Sequence, residues 1–463
     1  MILSQRLDAA APAGGARSLV GVSFDADLAA MSERLRPLVD LVDSLPEPAA
    51  RTEHQHAIAA SAHHDARELR EHFLATHTDR LYAELTEGFT LALTVEQIAD
   101  RAARRCPGLV PTPDRMSSER RLPQRAKEGW EIDLGLLFNA LFGSPAAGTH
   151  LLRSMLAPTP QALSLLPGFR STGQADLGLA TVTRRDGVAH LELRNDAYLN
   201  AEDDAAVEAL ETGTDLVLLD ENCHVGILRG AAMTHPARRG RRVFSAGINL
   251  THLYEGKISL LGFMVRREVG YISKYLRGLW IGDTGDTGET GDWEMTTRVK
   301  PWVGAIDGFA IGGGMQILPV LDRIVAADDA WFSLPAMEEG LVPGVANLRL
   351  GTLMGGRTAR QLIFWGRRVR ADEPEAALVC DDVVAPDAMD AAVDRAAQHL
   401  DNPAVAANRR MMVLGEEPLD LFRRYMARYV LEQAQRMHSA DLTANLERTW
   451  IGRNGRPGGA ARS

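Results

Sequence analysis

Two short glycine turns, each set between an apolar run and a polar helix start, are where this chain could do chemistry. The first is Ser245-Ala246-Gly247 in RRVFSAGINLTHL (241–253), whose small side chains would let a ligand approach the backbone. The second is Gly312-Gly313-Gly314 in VKPWVGAIDGFAIGGGMQILPVLDRIVAADDAWFSLPAMEEGLVPG (299–344), between a buried strand and a helix expected to start near Met315. Free N–H groups and the positive dipole end at such a junction stabilise an anion. Glycine turns also serve packing alone, so neither segment by itself decides a function.

Several charged residues stand near these turns. On a helix expected from about 257 to 279, Leu260, Met264, Arg267 and Tyr271 follow steps of four, three and four, so Arg267 interrupts an otherwise apolar face and wants a partner. Glu202 sits at the start of another helix, where a first-turn carboxylate is favourable in its own right. The stretch Thr234-His235-Pro236-Ala237-Arg238-Arg239-Gly240-Arg241-Arg242 is strongly basic, and arginine forks suit phosphates; a solvated surface loop is the competing reading. His54, His56, His63, His64, His72 and His77 crowd one segment, with His64, Glu68 and His72 at four-residue steps, yet a solvated helix face explains them better than a metal site.

The elements that must position these residues are legible in outline. With 45% hydrophobic and 24% charged residues, the 463-residue chain reads as globular, and its length suggests a large domain plus an extension. From about 25 to 165 apolar residues recur at helical spacing, which predicts a helical N-terminal domain over 1–178. Near 180 the texture turns to alternation, and Asp186-Gly187 predicts a hairpin. Strands at 225–230, 303–310 and 323–328 then alternate with helices, an α/β catalytic domain over 179–445. The stretch 283–292 should be an exposed loop and 446–463 a disordered tail.

A net charge of -10 argues against nucleic-acid binding, and Cys106, Cys223 and Cys380 show neither disulfide nor zinc spacing. With no signal-like start and no apolar run long enough for a membrane span, the expectation is a cytoplasmic protein.

Taken together, and followed by WGRRVRADEPEAALVCDDVV, the two turns resemble the signature of the crotonase (enoyl-CoA hydratase/isomerase) superfamily over roughly residues 180–440. The resemblance implies a spiral of ββα turns that holds an acyl-CoA thioester, with an oxyanion hole made by the N–H groups of Ile248 and Gly313. It places Ala246, Gly247 and Asn249 along the substrate, assigns His235, Arg238 and Arg242 to the CoA moiety, uses Pro343-Gly344 to close the acyl pocket and brings Gln433 toward CoA. It also implies a homo-oligomer, a trimer or a pair of trimers.

The chain departs from the hydratases at both of their glutamate positions, which are Gln316 and Ala336 here. An amide is no base at neutral pH and a methyl group carries no proton at all, so simple hydration is not expected. HPARRGRRVFSAGINL, GFAIGGGMQ, FSLPAMEEGLVPGVANLRL and LDNPAVAANRRMM are instead similar to a narrower branch, the cofactor-independent (3,5-dihydroxyphenyl)acetyl-CoA 1,2-dioxygenases of glycopeptide-antibiotic pathways. That branch implies no metal or flavin, O2 as co-substrate, an apolar oxygen niche at Leu250, Ala336 and Leu341, and Gln316 bonding the thioester or a peroxy group; Arg267, with Glu202 as a second contact, is read as meeting a phenol hydroxyl, an interdomain ion pair being the other reading of the arginine. A crotonase-type isomerase or thioesterase, or a degenerate scaffold, stays open as an alternative. So does the α-proton acceptor, with Glu338, Glu339 and Asp307 near in sequence and the possibility that none is needed.

Overall fold

The computed structural model describes residues 23–234, 238–282 and 296–451. His235, the loop expected at 283–292 and the tail beyond 451 lie outside these residues.

Among the described residues ten strands build two sheets. β1 (Gln174–Asp176), β2 (Ala180–Arg185), β3 (Val188–Leu193), β4 (Val225–Gly230), β5 (Trp302–Ile306), β7 (Arg323–Ala327) and β10 (Asp382–Val384) lie side by side in that order. The smaller sheet runs β6 (Phe309–Ile311), β8 (Trp331–Ser333), β9 (Arg368–Arg370). β1 to β3 are antiparallel; β3, β4, β5, β7 and β10 are parallel. The β2–β3 turn is the expected one, with both Asp186 and Gly187 at positive φ, as a two-residue hairpin demands.

From β5 onward the chain spirals. β5 joins the large sheet, β6 the small one, and the helix Gly313–Ile317 follows; β7, β8 and the short helix Ala336–Glu339 repeat the pattern. The run read as one strand at 303–310 is therefore two strands in different sheets, parted at Asp307-Gly308, where Gly308 takes φ +70°. The large sheet also begins at Gln174, ahead of the boundary expected at 178, and a π-helical turn, Glu447–Ile451, extends into the stretch read as tail.

The N-terminal helices share one apolar core with the catalytic layers, extending from Phe24 to Leu446. The helix Glu131–Gly143 lies along the helix Leu419–Met437 so closely that a side chain on Gly135 would come 3.0 Å from Ala434 Cβ. Gln124 Nε2 donates to Met437 O at 2.7 Å, and His438 meets Glu131 at 3.1 Å, so the extension braces the C-terminal helix that walls the site.

The continuous helix expected over 257–279 is three pieces: a π-helix, Leu260–Val265, then Arg266–Val269 and Tyr271–Arg277, broken at Gly270. A side chain on Gly270 would meet Arg266 O at 2.5 Å and Glu211 Oε1 at 2.9 Å. A π-helical turn adds a residue per turn and commonly marks a functional site; here it puts Phe263, Met264, Arg267 and Glu268 on one cavity wall.

Candidate active site

A single parallel bridge sets the two glycine turns next to each other. Ser245 pairs with Ala310 at the edge of β6, Ser245 N donating to Phe309 O at 3.2 Å and Ile311 N to Ser245 O at 3.0 Å. The backbone folds tightly there because Gly247 (φ +88°) and Gly312 (φ +50°) take conformations that side-chain-bearing residues avoid. A Cβ on Gly247 would sit 2.7 Å from Ile311 O and 2.9 Å from Gly313 N, so the second turn reaches the first only because that residue is glycine.

The arrangement leaves two N–H groups free. Glu202 bridges Ile248 by donating from its N to Gly247 O (2.7 Å) and accepting from Asn249 N (2.8 Å), which turns the Ile248 N–H away from Glu202. Gly313 N opens the helix Gly313–Ile317, where an N–H has no partner within the helix. Among the described residues neither group donates to the protein.

Ile248 and Gly313 border a cavity of about 30 Å³ walled by Phe263, Met264, Leu334, Ala336, Leu341 and Val342, with Arg267, Glu268, Gln316, Glu339, Tyr429 and Gln433 adding polar atoms and Pro343-Gly344 closing one end. Arg267 organises the polar side. Its Nε donates to Glu202 Oε2 at 3.0 Å and its Nη1 to both Glu268 Oε1 and Gln316 Oε1 at 3.0 Å, while Nη2 reaches Gly313 O. Tyr271 also donates to Glu202. Burial opposes the guanidinium charge, but Glu202, Tyr271 and Glu268 raise its pKa above the ordinary value, so Arg267 is a permanent cation in the wall.

Glu268, which no sequence motif marks, is fully buried beside it. Burial outweighs the attraction of Arg267 and Arg349 and raises its carboxyl pKa, and Oε2 has no hydrogen bond. A side chain on Gly344 would collide with Glu268 Oε1 at 2.2 Å, so that glycine lets the closing turn lie against the carboxyl. Tyr429, its pKa raised well above the usual phenol value by burial, donates to Met264 O at 3.3 Å. Neither residue was readable from local spacing: Glu268 follows the break into π-helix, and Tyr429 arrives from the far end of the chain.

Several of the expected residues are tied up in bonds within the protein, and one lies off the cavity wall. Leu250, at the start of the helix Leu250–Tyr254, is half-buried against the main apolar core and lies outside the cavity wall. Asn249 is that helix's N-cap, its Oδ1 accepting from His252 N at 3.1 Å. Arg242 is held by Glu192 at 2.5 Å and Gly230 O at 2.9 Å, while Arg238 is exposed on the loop. Glu202 is a buried bridge residue before its helix rather than a solvated first-turn carboxylate. Gln433 is fully buried, its Oε1 accepting from Val342 N at 3.0 Å, so it fixes the turn over the cavity. The histidine segment does not converge: His63 pairs with Glu128, His77 with Asp27, and exposed His64 with Glu68.

The enoyl-CoA hydratase/isomerase family matches residues 285–439. Over 420 residues, 91% of this chain and 95% of the relative, the sequence is 48% identical to the (3,5-dihydroxyphenyl)acetyl-CoA 1,2-dioxygenase of Amycolatopsis orientalis. The chain belongs to the enoyl-CoA hydratase/isomerase family. A probable enoyl-CoA hydratase of Rhizobium meliloti is 34% identical over 28% of this chain and 52% of its own. Among solved structures, an enoyl-CoA hydratase from Mycobacterium avium subsp. paratuberculosis K-10 has a TM-score of 0.47 at 20% identity, covering 59% of this chain and 99% of that one. The family's crotonase fold explains the ββα spiral, and the chain adds the braced helices ahead of it.

Proposed function

We propose that this protein is a dioxygenase that converts (3,5-dihydroxyphenyl)acetyl-CoA and O2 to (3,5-dihydroxyphenyl)glyoxylate and free CoA. The observation that carries this reading is the cavity itself: two free N–H groups border a small space in which Ala336 and Leu341 supply apolar wall where a hydratase would place a carboxylate. The similarity to the Amycolatopsis dioxygenase over nearly the whole chain supports the same substrate.

The chemistry follows from the residues. The thioester oxygen accepts from Ile248 and Gly313, and fixed donors of this kind contribute about 2.7–4 kcal/mol to an oxyanion-like transition state. Loss of an α-proton then gives an enolate spread over ring and thioester. This electron-rich anion passes an electron to O2; recombination forms a C–O bond, and the peroxide attacks the thioester carbon, breaks the C–S bond and expels CoA thiolate. Cleavage of the O–O bond with loss of the second α-proton leaves the α-keto carboxylate, so both oxygen atoms end in the product. The enolate supplies all the electrons, and the reading assigns no metal or flavin: CoA is part of the substrate and O2 the co-substrate.

Arg267, on the cavity wall and held from behind by Glu202, is the group proposed to bond a phenol hydroxyl, with Glu202 as the second contact, and Gln316, already oriented by Arg267, faces the cavity as an amide donor. Arg238, exposed on its loop, and Arg242, together with His235, are the groups proposed for the CoA moiety. The aryl glyoxylate fits a route to dihydroxyphenylglycine-containing antibiotics, in the cytoplasm.

The decisive experiment is oxygen uptake by metal-stripped, flavin-free protein given (3,5-dihydroxyphenyl)acetyl-CoA, with thiol release followed in the same cuvette. One O2 consumed per thiol supports the reading. Thiol without uptake replaces it with a thioesterase, and silence in both channels removes it.

A further inference from the structure

The reading above needs a group to receive the α-proton, and three carboxylates stand near the motif in sequence. The fold separates them. Asp307 is held by Arg229 through bonds of 2.6 and 3.0 Å outside the cavity. Glu338 is exposed and turned outward, so that a side chain on Gly366 would meet its Oε1 at 3.0 Å. Glu339 alone of the three lines the cavity.

The reason lies in one turn of helix. In Ala336–Glu339, residues three apart share a face, so Ala336 and Glu339 both look into the cavity while Met337, 59% exposed, and Glu338 look out. Where Ala336 lacks a carboxylate, the next position on the same face supplies one. Its Oε1 lies 3.9 Å from the point a Cβ on Gly312 would occupy, beside the Gly313 N–H. Among the described residues the carboxylate makes no hydrogen bond or ion pair.

We infer that Glu339 is the catalytic base that takes the α-proton of the bound acyl-CoA. This inference rests on the enolate reading and supplies the group it lacked. The α-C–H bond breaks, the proton passes to a Glu339 oxygen, and the electron pair moves into the enolate whose oxygen faces Ile248 and Gly313. When the thiolate departs, the carboxyl returns that proton to it. The freed carboxylate then takes the second α-proton as the O–O bond breaks, the C–H pair becoming the ketone C=O, and the proton passes to solvent.

Burial and the neighbouring Glu338 push the Glu339 carboxyl up to about 8. A base so tuned is stronger than an ordinary carboxylate and close to a thiol in acidity, which suits a group that must both remove a proton and hand it to a thiolate. The charges that face it are Glu338 on its own turn, Arg267 and Glu268 across the cavity, and Arg436, which donates to Gly340 O at 2.7 Å and is occupied by Asp441. The active form is the carboxylate, so kcat/KM should fall as pH drops through about 8.

The test is anaerobic exchange of the α-hydrogens of (3,5-dihydroxyphenyl)acetyl-CoA in D2O, followed by NMR, with oxygen uptake measured in parallel. Wild-type protein should exchange. Glu339→Gln, nearly the same in shape, should slow exchange by about a hundredfold or more, Glu339→Asp should keep part of the rate, and Glu338→Gln should still exchange, with the midpoint of its pH profile moved below that of wild type. Circular dichroism confirms that each variant folds. Exchange by Glu339→Gln within about tenfold of wild type overturns the assignment, as does a wild type that does not exchange. Loss of oxygen uptake in a wild type that still exchanges would sink the dioxygenase reading and leave Glu339 as the base.

Discussion

Arg267 and Glu202 meet through two hydrogen bonds, Nε to Oε2 at 3.0 Å and Nη2 to Oε1 at 3.3 Å, with side-chain exposures of 3% and 0%. Removing Arg267 strands the Glu202 carboxylate in the protein interior, whereas removing Glu202 leaves Arg267 paired with Glu268 at 3.0 Å. Breaking one side of such a pair costs about 3–5 kcal/mol. Arg267→Met should therefore lower the unfolding free energy in urea by roughly that amount, and the double variant Arg267→Met, Glu202→Gln should recover a large part of it. Purely additive losses would show that the two residues act separately. Where the Arg267 variant still folds, its KM for the aryl-acetyl-CoA should rise.

Gly247→Ala tests the oxyanion hole through its backbone. The added methyl would stand 2.9 Å from Gly313 N and 2.7 Å from Ile311 O, at a φ of +88° that alanine resists. The two turns must move apart, which misplaces one donor. The expected loss is about 10²–10³ in kcat, with secondary structure intact by circular dichroism. A variant that kept its kcat would show that the turn tolerates the shift and that the donors are elsewhere.

Ala336→Leu tests the oxygen niche. Ala336 borders the cavity, so a larger side chain there takes up space on its apolar wall while the Ile248 and Gly313 N–H groups and Glu339 stay in place. Oxygen uptake should fall and the KM for O2 should rise, whereas anaerobic α-hydrogen exchange should survive. Equal loss of both would mean that Ala336 borders the acyl group rather than the gas.

The oxyanion turns were legible in the sequence because the physical demand is local: a strand must end, the backbone must take positive φ, and only glycine does so cheaply. Gln316, Ala336, Leu341, Pro343 and Gly344 were legible through their offsets from those turns, and all border the cavity. Asn249 and Leu250 sit one and two positions beyond Ile248, yet a side chain's direction at a new helix start depends on the cap, which spacing does not encode. Glu268 was hidden because a single 3.6-residue periodicity carried through 257–279 cannot reveal an inserted π-turn. Tyr429 was hidden because it reaches the site only through packing of the last long helix on the extension. Glu339 was visible as a candidate, but choosing it over Glu338 required the phase of a four-residue helix.

Two surface helices bear on assembly. Leu353, Phe364 and Trp365 on Ala346–Trp365, and Met411 and Met412 on Pro403–Glu416, are between 47% and 81% exposed. Large exposed apolar side chains on these helices are candidates for a subunit contact, and a homo-oligomer, a trimer or pair of trimers, is the assembly proposed. Sedimentation should show a mass three or six times that of the chain, and Trp365→Asp should reduce it. A monomer at micromolar concentration would remove this proposal.

Acid should loosen the brace between the extension and the C-terminal helix. Burial works against the Glu131 charge, but His438, Lys127 and the Leu260 N–H hold its carboxyl at about 2; Glu128 is brought to about 2 against its own burial by His63 and Arg51. Both pKa values lie below the ordinary 4.5, so each group's contribution is complete above about pH 4.5 and is lost as pH falls from there through about 2. Melting temperature should drop across that window. Glu131→Gln cannot ionise, so it should lower the melting temperature at pH 6 and shrink the further drop between pH 4.5 and 2. An unchanged acid profile in Glu131→Gln would show that the brace does not depend on that carboxylate, and would shift the acid sensitivity to other ion pairs.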